Sequence, residues 1–153
     1  MPLRTPADFA GERGGFAPWC GPTVVAQAAG VTYAEACGLL RRVEPSTYPD
    51  ENEIVTAYWS DLLTSLGLAR VAVRDRPVAG RPTLSALVRE GLEPGWWLVR
   101  VTGHFLLLEV DGDQGARVFD NRHHGTPLSA QAHGRCRVTH LARLPRGLRP
   151  PAR

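Results

Sequence analysis

The chain has 153 residues, 43% of them hydrophobic and 22% charged, with a formal net charge of +3 at pH 7. Those proportions describe one folded domain with a single sizeable core and exclude a disordered chain, and no apolar run approaches the length of a membrane span. The 18 basic residues are all arginine and are dispersed except near the C-terminus, so a pI near 9.1 does not describe a phosphate-binding track and nucleic acid is not an expected partner.

Residues 1–18 read as an extended or looped lead-in, broken by Gly14-Gly15 and Pro18. They lack the apolar stretch of a secretory signal, so a cytoplasmic location is expected. Trp19-Cys20-Gly21-Pro22-Thr23 then opens a helix. Val24, Val25 and Ala28 form its apolar stripe, Pro22 is tolerated in its first turn, and Gly30 ends it. The unpaired N–H groups and the dipole of a helix start favour an anion, and Cys20 offers a thiolate there. Gly21, without a Cβ, allows a substrate carbonyl to come close beside the sulfur.

A capping box at Thr32-Tyr33-Ala34-Glu35 predicts a second helix over residues 33–42. Asp50 to Glu53, followed by Ile54, Val55, Tyr58, Leu62 and Leu66, predicts a third that stops at Gly67. Alternation predicts a strand over residues 68–73, then a Pro/Gly/Arg loop over 75–82 and a short helix over 83–90. The pattern next switches to strands over 96–101, 104–110, 117–120 and 135–144. Helices first and strands later predict an α+β fold with an antiparallel sheet. Residues 1–145 form one expected domain, and the basic Pro-rich tail over 146–153 is left unfolded.

Three cysteines, Cys20, Cys37 and Cys136, cannot all pair with one another, and a reduced set is expected. Cys37 sits midway along a helix and reads as structural. His133-x-x-Cys136-x-x-x-His140 has a passing likeness to metal-ligand spacing. It lacks a second close Cys/His pair, and Arg135 and Arg137 flank the cysteine, so no metal and no cofactor are expected.

His104 opens an apolar strand, and Asp111 to Gly115 make a turn-rich link to the next one. If Val110 pairs with Ala116, Leu106 faces Asp120, which puts His104 and Asp120 diagonally opposite on one sheet face, a base and its orienting carboxylate. A slip of one residue turns Asp120 away and makes Asn121 the candidate.

Cys20-Gly21-Pro22-Thr23 at a helix start, Gly103-His104-Phe105 at a strand start and Phe119-Asp120 on the following strand resemble the papain-like cysteine peptidases. The likeness is to the compact bacterial group similar to the bacteriocin-processing peptidases, and it spans about residues 19–121. The resemblance implies a papain-like fold with N-terminal helices on a twisted antiparallel sheet, and a peptide or protein substrate. It also implies Cys20 as nucleophile, His104 as general base and acid, and Asp120 as the residue orienting His104. The family usually carries a glutamine several residues before the cysteine, and the stretch from Gly11 to Phe16 has none. The Cys20 backbone N–H supplies one oxyanion donor, the second is open, and Arg13 is the candidate that stretch offers. The expected function is hydrolysis of a peptide or isopeptide bond. The rival is a catalytically inactive papain-like domain that binds a peptide or partner in its cleft. Specificity is expected in the loops at 45–50, 74–82 and 123–127.

Overall fold

The computed structural model describes residues 3–13, 15, 18–49, 53–113 and 115–145. Five helices and six strands follow one another as α1 (Pro6–Glu12), α2 (Cys20–Ala29), α3 (Tyr33–Val43), α4 (Trp59–Leu68), β1 (Arg74–Arg76), α5 (Leu84–Arg89), β2 (Gly95–Val101), β3 (His104–Val110), β4 (Ala116–Phe119), β5 (His124–Pro127) and β6 (Val138–Arg143). The strands make one open antiparallel sheet in the order β1-β6-β2-β3-β4-β5. This is the α+β arrangement that helices first and strands later predict.

Successive residues of β2 and β3 point to opposite faces of the sheet, and both faces are covered, which is why these strands read as continuous apolar runs. Trp96, Leu98, Phe105 and Leu107 join Phe119 and Ala142 against the N-terminal helices. Trp97, Val99, Leu106 and Leu108 join Val118 and Leu141 against Leu84 and Val88 of α5. Helix α2 lies deepest in the first layer: its residues from Gly21 to Ala28 are all buried, and Gly30 closes it in the left-handed region at φ 70°.

Several boundaries depart from the sequence reading. The lead-in contains α1, started by a full capping box in which Thr5 accepts from Asp8 N–H and the Asp8 carboxylate accepts from Thr5 N–H, with Pro6 in the first turn. Gly14, Phe16, Ala17 and Asp50 to Asn52 lie outside the described residues, as does the tail over 146–153. The third helix begins only at Trp59 and runs through Gly67 to Leu68. Ile54-Val55-Thr56 is a β-branched run with low helix propensity, and it forms a loop from which Ile54 is buried and Val55 is exposed. At the second helix Thr32 accepts from Glu35 N–H, but the Glu35 carboxylate takes the Thr32 hydroxyl instead of returning to its backbone.

The strand expected over 68–73 does not form. Leu68 ends α4 and Arg70 turns with φ 65°. Val71 and Val73 pack on the helix-side core without ladder partners, and pairing starts at Arg74-Asp75-Arg76 against Arg143-Ala142-Leu141. The charged edge strand protects the sheet from pairing with other chains. Residues 124–127, read as a loop, form the opposite edge, and the last strand begins at Val138 rather than at Arg135.

Candidate active site

Cys20 is the first residue of α2. Trp19 is its N-cap, with extended backbone and no capping hydrogen bond from its side chain, so no cap oxygen competes for the first-turn N–H groups. Trp19 is fixed otherwise: its N–H donates to the Tyr33 hydroxyl at 3.0 Å, and its carbonyl accepts from the Thr23 hydroxyl at 2.7 Å. Pro22 falls at the third helical position, so the helix begins at the cysteine and not after it.

Val101 and His104 are paired, leaving Thr102-Gly103 as a two-residue turn in which Gly103 takes φ 76°, a conformation open to glycine. The tight turn sets His104 at the mouth of β3. On the other side Val110 pairs with Ala116, and the register runs on to Leu107 opposite Phe119. This is the even register expected from the hairpin, and one step further along it Asp120 meets the His104 side of the sheet. His104 Nε2 lies 2.7 Å from Asp120 Oδ2. Nδ1 of the ring is then the nitrogen left for Cys20, whose thiol lies near enough to His104 for each to shift the other's pKa.

Asn121 does something else. Its amide nitrogen donates to the Pro18 carbonyl at 3.1 Å, tying the end of β4 to the residue before Trp19. It holds the segment that leads into the cysteine and leaves His104 to Asp120.

Electrostatics follow from these contacts. Burial pushes the Cys20 thiol up, but the hydrogen bond from His104, the Phe105 N–H, the His104 charge and the Gly21 N–H outweigh it and bring the pKa below its ordinary value. Burial pulls His104 down, yet the bonds to Asp120 and Cys20 raise it from 6.5 to about 9. Asp120, fully buried, is lifted by burial and lowered further by His104, His133 and the Arg122 N–H, so its carboxylate stays ionised well below the usual range. The three groups together favour a thiolate beside an imidazolium. Cys37 contrasts with this, since burial raises its thiol.

Sequence reasoning misses two members of the cluster. Asp120 Oδ1 accepts from the backbone N–H groups of Arg122 (2.8 Å) and His123 (2.7 Å), and His123 Nδ1 lies 3.1 Å from it. His133 Nε2 is 3.0 Å from Asp120 Oδ2, with its ring stacked on that of His104 at 4.6 Å between centroids. His133 holds φ 67° without being glycine, a rare conformation for such a residue. The only signal in the sequence is the His133-Cys136-His140 spacing, and the structure divides that group. Cys136 Sγ is 3.8 Å from His133 Nδ1, while His140 packs against Trp59 at 5.2 Å.

Gly21 and Arg13 each make a contact that the sequence does not show. Gly21 is required by packing: a Cβ there would come 2.9 Å from the Ala57 Cβ, so the loop before α4 closes on the start of α2. Arg13 is committed elsewhere, donating to Glu53 at 2.9 Å and lying over the Tyr33 ring at 4.9 Å. Glu53 also accepts from the Trp19 indole. Trp19 is 38% exposed, and Val55 and Tyr58 on the Ala57 loop are 54% and 58% exposed, which gives apolar surface beside the sulfur. A concavity at the β1–β6 edge is lined by Arg74, Arg76, Trp97 and Arg143, and by none of the three candidate residues.

No described helix is long and apolar enough to cross a membrane. Comparison with protein-family models, curated proteins and solved structures finds no match to this chain. The fold established for it is therefore α+β, with N-terminal helices packed on an open six-strand antiparallel sheet.

Proposed function

We propose that the protein is a papain-like thiol hydrolase that cleaves a peptide or isopeptide bond through Cys20, His104 and Asp120. The observation that carries this reading is the convergence of a helix-start thiol, a strand-start imidazole and a buried carboxylate from three separate elements, with His104 Nε2 on Asp120 and His104 lowering the Cys20 pKa. A thiol with no chemical role needs neither an imidazole partner nor a carboxylate behind it.

The Cys20 thiolate attacks the substrate carbonyl carbon, and the carbonyl π electrons move onto oxygen. The Cys20 N–H and the positive end of α2 stabilise that oxyanion. Collapse expels the amine, which takes its proton from the His104 imidazolium and leaves an acyl-thioester on Cys20. His104, now neutral, removes a proton from water as it attacks the thioester, and the thiolate departs. Asp120 keeps the ring in the Nε2–H orientation and stabilises its cationic form. The exposed rings of Trp19 and Tyr58 with Val55 favour an apolar residue next to the scissile bond.

A second reading, a catalytically silent domain of this kind that binds a peptide in the same cleft, is favoured by the lack of a glutamine in the stretch from Gly11 to Phe16. A peptide chloromethyl ketone, which the thiolate converts to a stable thioether with loss of chloride, followed by intact mass separates the two. A hydrolase forms one adduct on Cys20 that is absent in Cys20→Ala. A binder retains the probe reversibly with no adduct.

A further inference from the structure

Two imidazoles aim the same kind of nitrogen at one carboxylate oxygen. His104 Nε2 and His133 Nε2 lie 2.7 Å and 3.0 Å from Asp120 Oδ2, and the three atoms are within 4.8 Å of one another. A hydrolytic triad needs only the first of these imidazoles. Two neutral imidazole nitrogens and one carboxylate oxygen are the donor set that suits zinc and its borderline neighbours among divalent ions, with a fourth position for water.

Tetrahedral bonds of about 2.0–2.1 Å hold ligand atoms about 3.3 Å apart. To accept an ion the two rings would open from Oδ2 by about 0.6 Å and 0.3 Å, and their Nε2 atoms, within 4.8 Å of each other, would close by up to about 1.5 Å, displacements within the range of side-chain motion. The surroundings are already those of a held ligand set. Oδ1 is fixed by the Arg122 and His123 N–H groups, which orients Oδ2, and such outer contacts tune a metal site. Asp120 is fully buried, but the His104 and His133 side chains are 19% and 21% exposed, so the cluster borders solvent.

We propose that His104 Nε2, His133 Nε2 and Asp120 Oδ2 bind one zinc-class divalent ion. The site rests on the geometry around Asp120 alone and does not depend on the proposed hydrolase.

The test is titration of the full-length, chelator-stripped chain with zinc, followed by calorimetry and by competition with a chromophoric chelator, and with cobalt(II) as a spectroscopic probe. The expected result is one ion per chain. Affinity should fall at least about tenfold in His133→Asn, since asparagine tolerates the left-handed backbone there, and be kept in Cys20→Ala. The cobalt spectrum should lack a thiolate charge-transfer band, a readout that needs no variant to fold. Absence of binding, wild-type affinity in a folded His133→Asn, or a thiolate band overturns the site.

Discussion

His104 Nε2 and Asp120 Oδ2 are 2.7 Å apart although sixteen residues separate them in the chain, because the β3–β4 hairpin pairs Val110 with Ala116 and Leu107 with Phe119. Asp120 also accepts from His133 and from the Arg122 and His123 N–H groups. Removing its oxygens would strand all of these groups, so Asp120→Ala should cost stability as well as turnover, by about 3–5 kcal/mol as for other broken buried pairs. Asp120→Asn is the cleaner probe of chemistry.

Kinetics should therefore be graded. Cys20→Ala abolishes turnover, His104→Ala nearly so, and Asp120→Asn lowers kcat/KM by roughly 10- to 1000-fold, since an orienting residue contributes less than a nucleophile. Asn121→Ala should leave kcat close to wild type and cost about 1 kcal/mol of stability through the lost bond to the Pro18 carbonyl. A crippled Asn121→Ala beside a near-normal Asp120→Asn would reverse these roles. Steady-state kinetics on folded variants decides it.

The pH profile carries a signature of the pair. Turnover needs the His104 proton for the departing amine, so kcat/KM should fall as pH rises through about 9. Its rising limb should lie below the ordinary thiol range, because the Cys20 pKa is lowered. Stability should follow the same group: the folded pKa of His104 is raised from 6.5 to about 9, so its contribution is complete below 6.5 and disappears as pH climbs through about 9. Melting curves should show that loss in the wild type, and His104→Ala should lack it.

The packing between Gly21 and the Ala57 loop gives a prediction independent of chemistry. Gly21→Ala brings two β-carbons to 2.9 Å, and overpacking of this kind costs about 1–3 kcal/mol. Pairing it with Ala57→Gly relieves the contact, so the double variant should recover most of the loss in denaturant unfolding. Equal instability of the single and double variants would mean that the loop does not close on α2.

The parts of the fold legible in the sequence are those specified locally. Gly30 ends α2, Thr32 and Thr83 cap α3 and α5, and the β3–β4 register follows from turn residues and alternation. Elements fixed by distant partners are less legible. The apolar residues Val71 and Val73 are absorbed by the core without a ladder, while β1 forms from a charged segment because β6 offers it an edge. Ile54 and Val55 keep helical spacing, but Glu53 is drawn to Arg13 and to the Trp19 indole, and the β-branched run stays in a loop. The Thr5 to Asp8 box is visible in the sequence, yet the glycines after it make the whole segment read as a lead-in. In the site, Cys20, His104 and Asp120 are legible because each stands at the end of a strongly patterned element. His133 stands in a turn-rich segment between strands and reaches Asp120 only through the fold.

The most direct test of Cys20 as an activated thiolate is its rate of iodoacetamide alkylation against pH, followed residue by residue by mass spectrometry alongside Cys37 and Cys136. The account predicts fast modification of Cys20 that persists below the ordinary thiol range and is lost there in His104→Ala, with Cys37 slow throughout. Equal, sluggish labelling of all three cysteines, rising only in the ordinary thiol range, would contradict it.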